Sequence, residues 1–256
     1  MNVLRTIAEM RESHAPAFGS VGLVPTMGAF HEGHLSLFRA ARQECDIVVA
    51  SLFVNPAQFS THEDLDSYPR DEERDLLLAE RAGVDLVFAP SREEMYPAGF
   101  QTWVDVEELA STLEGHYRPG HFRGVATICM KLFNIVRPTR AYFGQKDAQQ
   151  VAVIKRLVED LNVAVEVRVL PTVRDADGLA LSSRNVNLSP AERELALALP
   201  RALATRDPAR PRELLEDLDV DYVELAQFDG QVVLAAAVRF GKTRLIDNVV
   251  IEGENA

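Results

Sequence analysis

Two periods of apolar spacing alternate along the chain. Short apolar runs at Val21-Gly22-Leu23-Val24, Asp46 to Val54 and Val84-Asp85-Leu86-Val87-Phe88 predict strands. The second is apolar nearly throughout, as expected for a strand buried on both faces. Between these runs the spacing changes to three and four. Asp71 to Ala82 predicts a charged helix that stops at Gly83. From Phe122 to Val136, residues Val125, Ile128, Cys129, Leu132, Phe133 and Val136 share one helical face, and Pro138 ends the helix. Ala141-Tyr142-Phe143 predicts a short strand, Asp147 to Leu161 a helix, and Val163 to Leu170 a further strand. Gln101 to Val106 is a candidate extra strand, and Met1 to Met10 reads as an amphipathic first helix. Such alternation implies an α/β fold, a parallel sheet with helices on both faces. Ligands of such sheets sit at the carboxyl ends of the strands, near a switch in strand order.

The pattern shifts after Ser189-Pro190. A helix is expected from Ala191 to about Ala204, interrupted by Pro200, followed by a linker or tight loop over Arg206 to Pro211. A short helix and three strand-like runs complete the chain: Tyr222 to Phe228, Val232 to Val238 and Arg244 to Val250. The expected division is a Rossmann-like domain over 1–185 and a smaller C-terminal α+β domain over 186–256.

Composition narrows the functional classes. The 256 residues are 47% apolar, enough for a real core. The net charge of −12 disfavours general nucleic-acid binding, so any phosphate site must gather its donors locally. No apolar run approaches the roughly 20 residues of a membrane span. Cys45 and Cys129 have no metal or redox spacing, which implies reduced thiols and a cytoplasmic location.

The strongest chemical signal is Pro25-Thr26-Met27-Gly28-Ala29-Phe30-His31-Glu32-Gly33-His34, placed where a strand turns into a helix. Backbone N–H groups and the positive end of a helix dipole meet at such a turn and favour a phosphate. Two imidazoles add donors for charge developing on it. The histidines stand three apart with a glycine between, which does not match the four-residue spacing of a helical zinc site.

Four other segments carry polar side chains at strand ends or in loops. In Asn55-Pro56-Ala57-Gln58 the amides of Asn55 and Gln58 suit a hydroxy-acid, against a turn that merely satisfies its own backbone. In Gly144-Gln145-Lys146-Asp147-Ala148-Gln149-Gln150, Asp147 and Gln150 fit a capping box, but Lys146 does not fit a helix N-terminus unless an anion lies beside it. Ser182-Ser183-Arg184-Asn185 combines hydroxyls with a guanidinium, which is phosphate-binding chemistry or else a polar surface loop. The loop from Glu114 to Gly124, with His116, Arg118, His121 and Arg123, suits an anion or a lid over one, against a solvated loop with a helix start.

These five motifs, in order, resemble the pantoate–β-alanine ligase (AMP-forming) family, of the nucleotidyltransferase superfamily related to class I aminoacyl-tRNA synthetases. The likeness runs to about Asn185 and resumes at Asp221-Tyr222-Val223-Glu224 and Gly241 to Asn248. It implies ATP, pantoate and β-alanine as substrates, Mg²⁺ held mainly by the ATP phosphates, and a pantoyl-adenylate intermediate. It implies His31, His34, Lys146 and Arg184 as catalytic, with no protein metal ligands. The implied ATP-binding residues are Met27, His34, Gly144, Lys146, Asp147, Val173, Leu181, Ser182, Ser183 and Arg184. Gln58, Gln150 and Asn55 would hold pantoate, so that for Gln150 the capping and substrate roles compete. The resemblance also implies a homodimer, and a lid-like role for the C-terminal domain, 186–256. The chain departs from the family between Asn185 and Asp221, which is shorter than the pattern, and at Phe240, where a small or other apolar residue is usual. Two other classes compete: a nucleotidyltransferase that stops at the adenylate or transfers CMP, and a binding protein that keeps the pocket without turnover.

Overall fold

A computed structural model describes residues 1–13, 19–59, 65–66 and 68–253. It divides into two compact units, one formed by Met1–Phe143 with Val153–Leu170, the other by Gly144–Ala152 with Pro171–Ala256. This differs from the expected boundary at 185/186. Leu179 belongs to the second unit's core, and Arg174 and Lys146 are bonded to its C-terminal sheet.

The first unit is a six-stranded sheet with helices. Its elements are β1 (Asn2–Leu4), α1 (Ile7–Ser13), β2 (Val21–Thr26), α2 (Glu32–Glu44), β3 (Ile47–Leu52), α3 (Glu72–Arg81), β4 (Leu86–Phe88), α4 (Arg92–Met95), α5 (Glu114–Tyr117), α6 (His121–Val136), β5 (Arg140–Gly144), most of α7 (Ala148–Asp160) and β6 (Glu166–Leu170). The strand order is β1-β4-β3-β2-β5-β6, and the pairings from β1 through to β5 are parallel. Strand order reverses direction between β2 and β5. The rule for open parallel sheets puts a ligand outside the carboxyl ends of those two strands.

Each element follows from its sequence. The predicted two-sided burial of β3 holds, with Val48, Val49, Ala50 and Ser51 all buried. Leu37, Phe38 and Ala41 form the buried stripe of α2, packed with Val24, Val48 and Val87 of the sheet. The apolar face expected on α6 is buried at every named position.

Two expectations change. Asn2–Leu4 is a strand, because the edge of β4 offers free ladder groups and Asn2, Val3 and Leu4 register on Leu86, Val87 and Phe88. Gln101 to Val106 forms no strand. Val104 N donates at 3.0 Å to the Thr127 hydroxyl on α6, so its backbone is satisfied by a helix side chain and not by a ladder.

The second unit contains the start of α7, then α8 (Pro190–Ala196), α9 (Ala198–Leu203), α10 (Arg210–Leu214) and an antiparallel sheet of β7 (Asp219–Phe228), β8 (Gln231–Phe240) and β9 (Thr243–Glu252). The break between α8 and α9 falls at Leu197, ahead of Pro200. Restarting at Ala198 puts Pro200 in a first turn, where a missing N–H costs no helical bond. Leu199, Leu203, Leu234, Ala236, Val238 and Phe240 form the core of this unit.

Candidate active site

At the carboxyl end of β2 the chain makes a tight turn, with Gly28 at φ +92° and Ala29 at φ +52°. Gly28 is in the left-handed region that favours glycine, and a Cβ there would also sit 2.9 Å from Asp75 Oδ2. His31 then caps α2. Its Nδ1 accepts from Gly33 N at 3.1 Å, and His34 Nδ1 accepts from His31 N at 3.4 Å, closing a capping box built of two imidazoles. An Nδ1 that accepts a backbone N–H carries no proton, so each neutral ring bears its proton on Nε2. The ring centroids are 4.2 Å apart. The sequence pointed to first-turn amides facing a phosphate. The histidines instead take the N–H groups of His31 and Gly33. Gly33 makes this possible, since a Cβ at that position would lie 2.9 Å from the His31 ring.

The turn is moored from α3. Asp75, buried at 1% exposure, accepts from Ala29 N and Phe30 N, both at 2.7 Å, and Arg74 Nη1 donates to Phe30 O at 3.1 Å. Burial pushes the Asp75 carboxyl above the usual aspartate range, and the two N–H bonds only partly offset this. Buried Phe30 packs on His34 at 5.4 Å and edge-on to Phe38 at 5.2 Å, which fixes the imidazole from the core side. Sequence reasoning missed Asp75, because an aspartate in a charged helix reads as solvated.

After β3, Asn55 caps and Gln58 ends a 3₁₀ turn, Pro56–Gln58. Asn55 is 1% exposed and its amide is fully engaged. Nδ2 donates to Gln58 Oε1 (3.0 Å) and Gly124 O (3.1 Å), while Oδ1 accepts from Tyr96 OH (2.8 Å) and Ala57 N (3.3 Å). Burial holds the Tyr96 hydroxyl well above its ordinary pKa, so it remains a donor. Gln58 Nε2 donates to Met27 Sδ at 3.0 Å, joining this turn to the residue that follows β2.

The basic loop that sequence left open supports the same turn. His121 Nδ1 donates to Gln58 O at 2.8 Å, and Arg118 Nη2 reaches the same oxygen at 3.3 Å. Arg118 Nη1 lies 3.3 Å from His121 Nε2, which accepts it in this tautomer, and Arg118 also pairs with Glu114 at 3.7 Å. Arg123 lies 5.1 Å over the Trp103 ring. His116 packs edge-on to Tyr117.

At Gly124 the backbone of α6 runs close against this turn. A Cβ on it would lie 2.4 Å from Ala57 O and 2.7 Å from Gln58 N, both backbone atoms that cannot swing aside. Gly124→Ala should therefore destabilise the protein by about 1–3 kcal/mol, the usual cost of overpacking. Urea unfolding measures it, and an unchanged midpoint would contradict this packing.

In the second unit the chain enters α7 through a 3₁₀ turn, Gln145–Asp147, capped at Gly144 without a side-chain bond. The expected capping box from Asp147 to Gln150 does not form. Asp147 Oδ1 instead lies 3.7 Å from Lys146 Nζ, and Gln150 is half-buried on the first turn of α7. A Cβ on Gly144 would meet nothing within 4 Å, and its φ of −93° is open to any residue, so the fold itself gives no reason for glycine there.

Leu181 N donates to Val173 O at 3.0 Å, which pairs two of the named residues through their backbones. Ser182 Oγ accepts from Arg184 N at 3.2 Å and caps the 3₁₀ turn Ser183–Asn187. Asn185 Nδ2 ties that turn to Ala180 O at 3.0 Å. Ser182, Ser183 and Arg184 are all half-buried.

A parallel sheet whose order switches beside a strand–turn–helix bearing two capped histidines defines a Rossmann-like nucleotide-binding protein. A sequence profile for pantoate-beta-alanine ligase matches residues 2–250. The pantothenate synthetase of Moorella thermoacetica is 54% identical over 280 aligned positions, covering 98% of this chain and 99% of that protein. That alignment is longer than the chain and so opens gaps in it. The crystal structure of pantothenate synthetase from Thermus thermophilus superposes with a TM-score of 0.94 at 46% identity, covering 99% of this chain and 100% of that one. The pantoate-beta-alanine ligase of Francisella tularensis, complexed with beta-gamma ATP and beta-alanine, gives 0.89 at 36% identity with both chains fully covered. The chain belongs to the pantoate–β-alanine ligase family.

Proposed function

We propose that this chain joins pantoate to β-alanine with ATP, releasing AMP and pyrophosphate by way of pantoyl adenylate. Membership of the family supports the reaction. The single observation that carries the chemistry is the pair of imidazoles at the β2–α2 turn, each held through Nδ1 so that Nε2–H is its donor.

In the first step a pantoate carboxylate oxygen bonds to the α-phosphorus as the bond to pyrophosphate breaks. Negative charge grows on the phosphate oxygens. Fixed donors placed for that charge stabilise the transition state without having to reorganise. His31 and His34 supply Nε2–H groups, Lys146 and Arg184 supply cations, and Ser182 and Ser183 supply hydroxyls. Met27, Gly144, Asp147, Val173 and Leu181 hold the nucleotide. The unexplained glycine at Gly144 supports this role, since a ligand approaching its backbone needs the space a Cβ would fill. Gln58 and Gln150 hold pantoate. With its amide fully engaged, Asn55 serves pantoate by orienting the Gln58 carboxamide.

In the second step the β-alanine nitrogen bonds to the acyl carbon, the bond to the phosphate oxygen breaks, AMP leaves, and the nitrogen gives up its proton to solvent. Neither step uses a protein nucleophile. Catalysis is positioning and electrostatics.

Mg²⁺ enters with ATP, where it neutralises phosphate charge. The proposed donors are imidazoles, cations and hydroxyls, which fit phosphate oxygens, and the phosphates themselves are the hard oxygen ligands Mg²⁺ prefers. Among the described residues no three His, Cys, Asp or Glu side chains converge as ligands. The family resemblance further supports a homodimer acting in the cytoplasm. Among the described residues no helix is long and apolar enough to cross a membrane.

The test is formation of AMP by the purified chain with ATP and Mg²⁺. Product should require both pantoate and β-alanine. Full turnover with either one omitted would overturn the proposal.

A further inference from the structure

Lys146 sits on a turn that is held from the C-terminal sheet. Asn248 on β9 is 5% exposed. Its Nδ2 donates to Gln145 O at 3.0 Å and to Lys146 O at 2.8 Å, and its Oδ1 accepts from Gln145 Nε2 at 3.3 Å. Both amide hydrogens therefore end on the backbone of the turn that carries Lys146.

Asn248 is itself held in place. Its N–H donates to Asp247 Oδ1 at 2.8 Å. Asp247, 2% exposed, receives Arg174 Nη1 at 2.6 Å and Nη2 at 3.0 Å, a bidentate pair, and Arg174 Nη1 also reaches Gly178 O at 3.2 Å. Asp247 and Asn248 pair with Ala236 and Ala235 midway along the β8–β9 ladder, away from the strand ends.

The turn needs such support. A 3₁₀ turn has poorer hydrogen-bond geometry than an α-helix, and this one has no side-chain cap at Gly144. A small rotation of its backbone is carried along the four-carbon stem of Lys146 and displaces Nζ. We propose that Asn248 is a positioning residue for adenylation: through the Gln145 and Lys146 carbonyls it sets where the Lys146 ammonium stands. This rests on the reading of Lys146 as a donor to the ATP phosphates, and it gives the C-terminal sheet a part in the chemistry that a domain acting only as a cover would lack.

The experiment is a double-mutant cycle on the full chain. Asn248→Ala removes the amide. Asn248→Asp keeps its shape and its acceptor but puts a carboxylate against two carbonyls. Each should lower kcat by roughly 10–100-fold, the scale of a misplaced catalytic group, with the fold retained by circular dichroism and KM for pantoate within about twofold of wild type. Combined with Lys146→Ala, either substitution should cost no further rate beyond about twofold, because the group it positions is gone. Losses that multiply in the double variants would overturn the inference. So would single variants at the wild-type rate, or two variants that both fail to fold, which would assign Asn248 to the fold alone. A slow Lys146→Ala beside an unaffected Asn248→Ala defeats only this inference. A wild-type rate for Lys146→Ala defeats the reading of Lys146 and this inference with it.

Discussion

Lys146→Ala should lower kcat by roughly 10²–10³-fold, the effect of removing one transition-state donor, while the protein stays folded. The expectation follows from how the residue is built into the chain. The Gln145–Asp147 turn is held through its carbonyls by Asn248, so truncating the lysine side chain leaves its backbone supports intact. The ammonium pairs with Asp147 at 3.7 Å, a carboxylate that is about half exposed, and such a pair is worth little to stability. A lysine at the start of a helix is disfavoured by the helix dipole, and an anion bound beside it would offset that cost. If the side chain served only Asp147, the variant would keep nearly the full rate. Steady-state AMP formation by variant and wild type decides between the two.

His34→Ala should lose activity on a similar scale, roughly 10²–10³-fold, and should also lose stability. The imidazole has two duties. Its Nδ1 accepts from His31 N at 3.4 Å, half of the box that starts α2, and its Nε2–H is the proposed donor to phosphate. Loss of a cap costs about 0.5–2 kcal/mol. His34→Asn separates the duties. An asparagine oxygen can stand where Nδ1 does and restore the cap, but nothing then occupies the Nε2 position. Thermal melting should recover toward wild type in His34→Asn while the rate stays low. Recovery of both together would make the cap the whole of the effect.

Much of the fold was legible because the informative patterns are local. Two-sided apolar runs gave the central strands, the three/four spacing from Val125 to Val136 gave α6, and glycines with two histidines marked the β2–α2 turn. What stayed hidden depends on distant partners. Asn2–Leu4 is a strand because β4, more than 80 positions along, lacks another neighbour on that side. The Asp147–Gln150 box failed because a 3₁₀ turn entered the helix first.

The site was legible as residue types and not as roles. Nothing in the sequence distinguishes a histidine that faces an anion from one that donates to a carbonyl, as His121 does to Gln58 O. Nor does it separate a solvated aspartate from Asp75, which holds the Ala29 and Phe30 amides from 46 and 45 residues away. In each case the signal is one or two polar bonds between segments far apart in the chain, which leave no local period or spacing to read.

The central claim is that a pantoate carboxylate oxygen becomes part of an adenylate before β-alanine arrives. Pantoate labelled with ¹⁸O in its carboxylate, turned over with ATP and β-alanine and followed by mass spectrometry of the AMP, tests it directly. The mechanism predicts one ¹⁸O in the AMP phosphate at every turnover, since the acyl–oxygen bond is the one that β-alanine breaks. AMP free of label would contradict it.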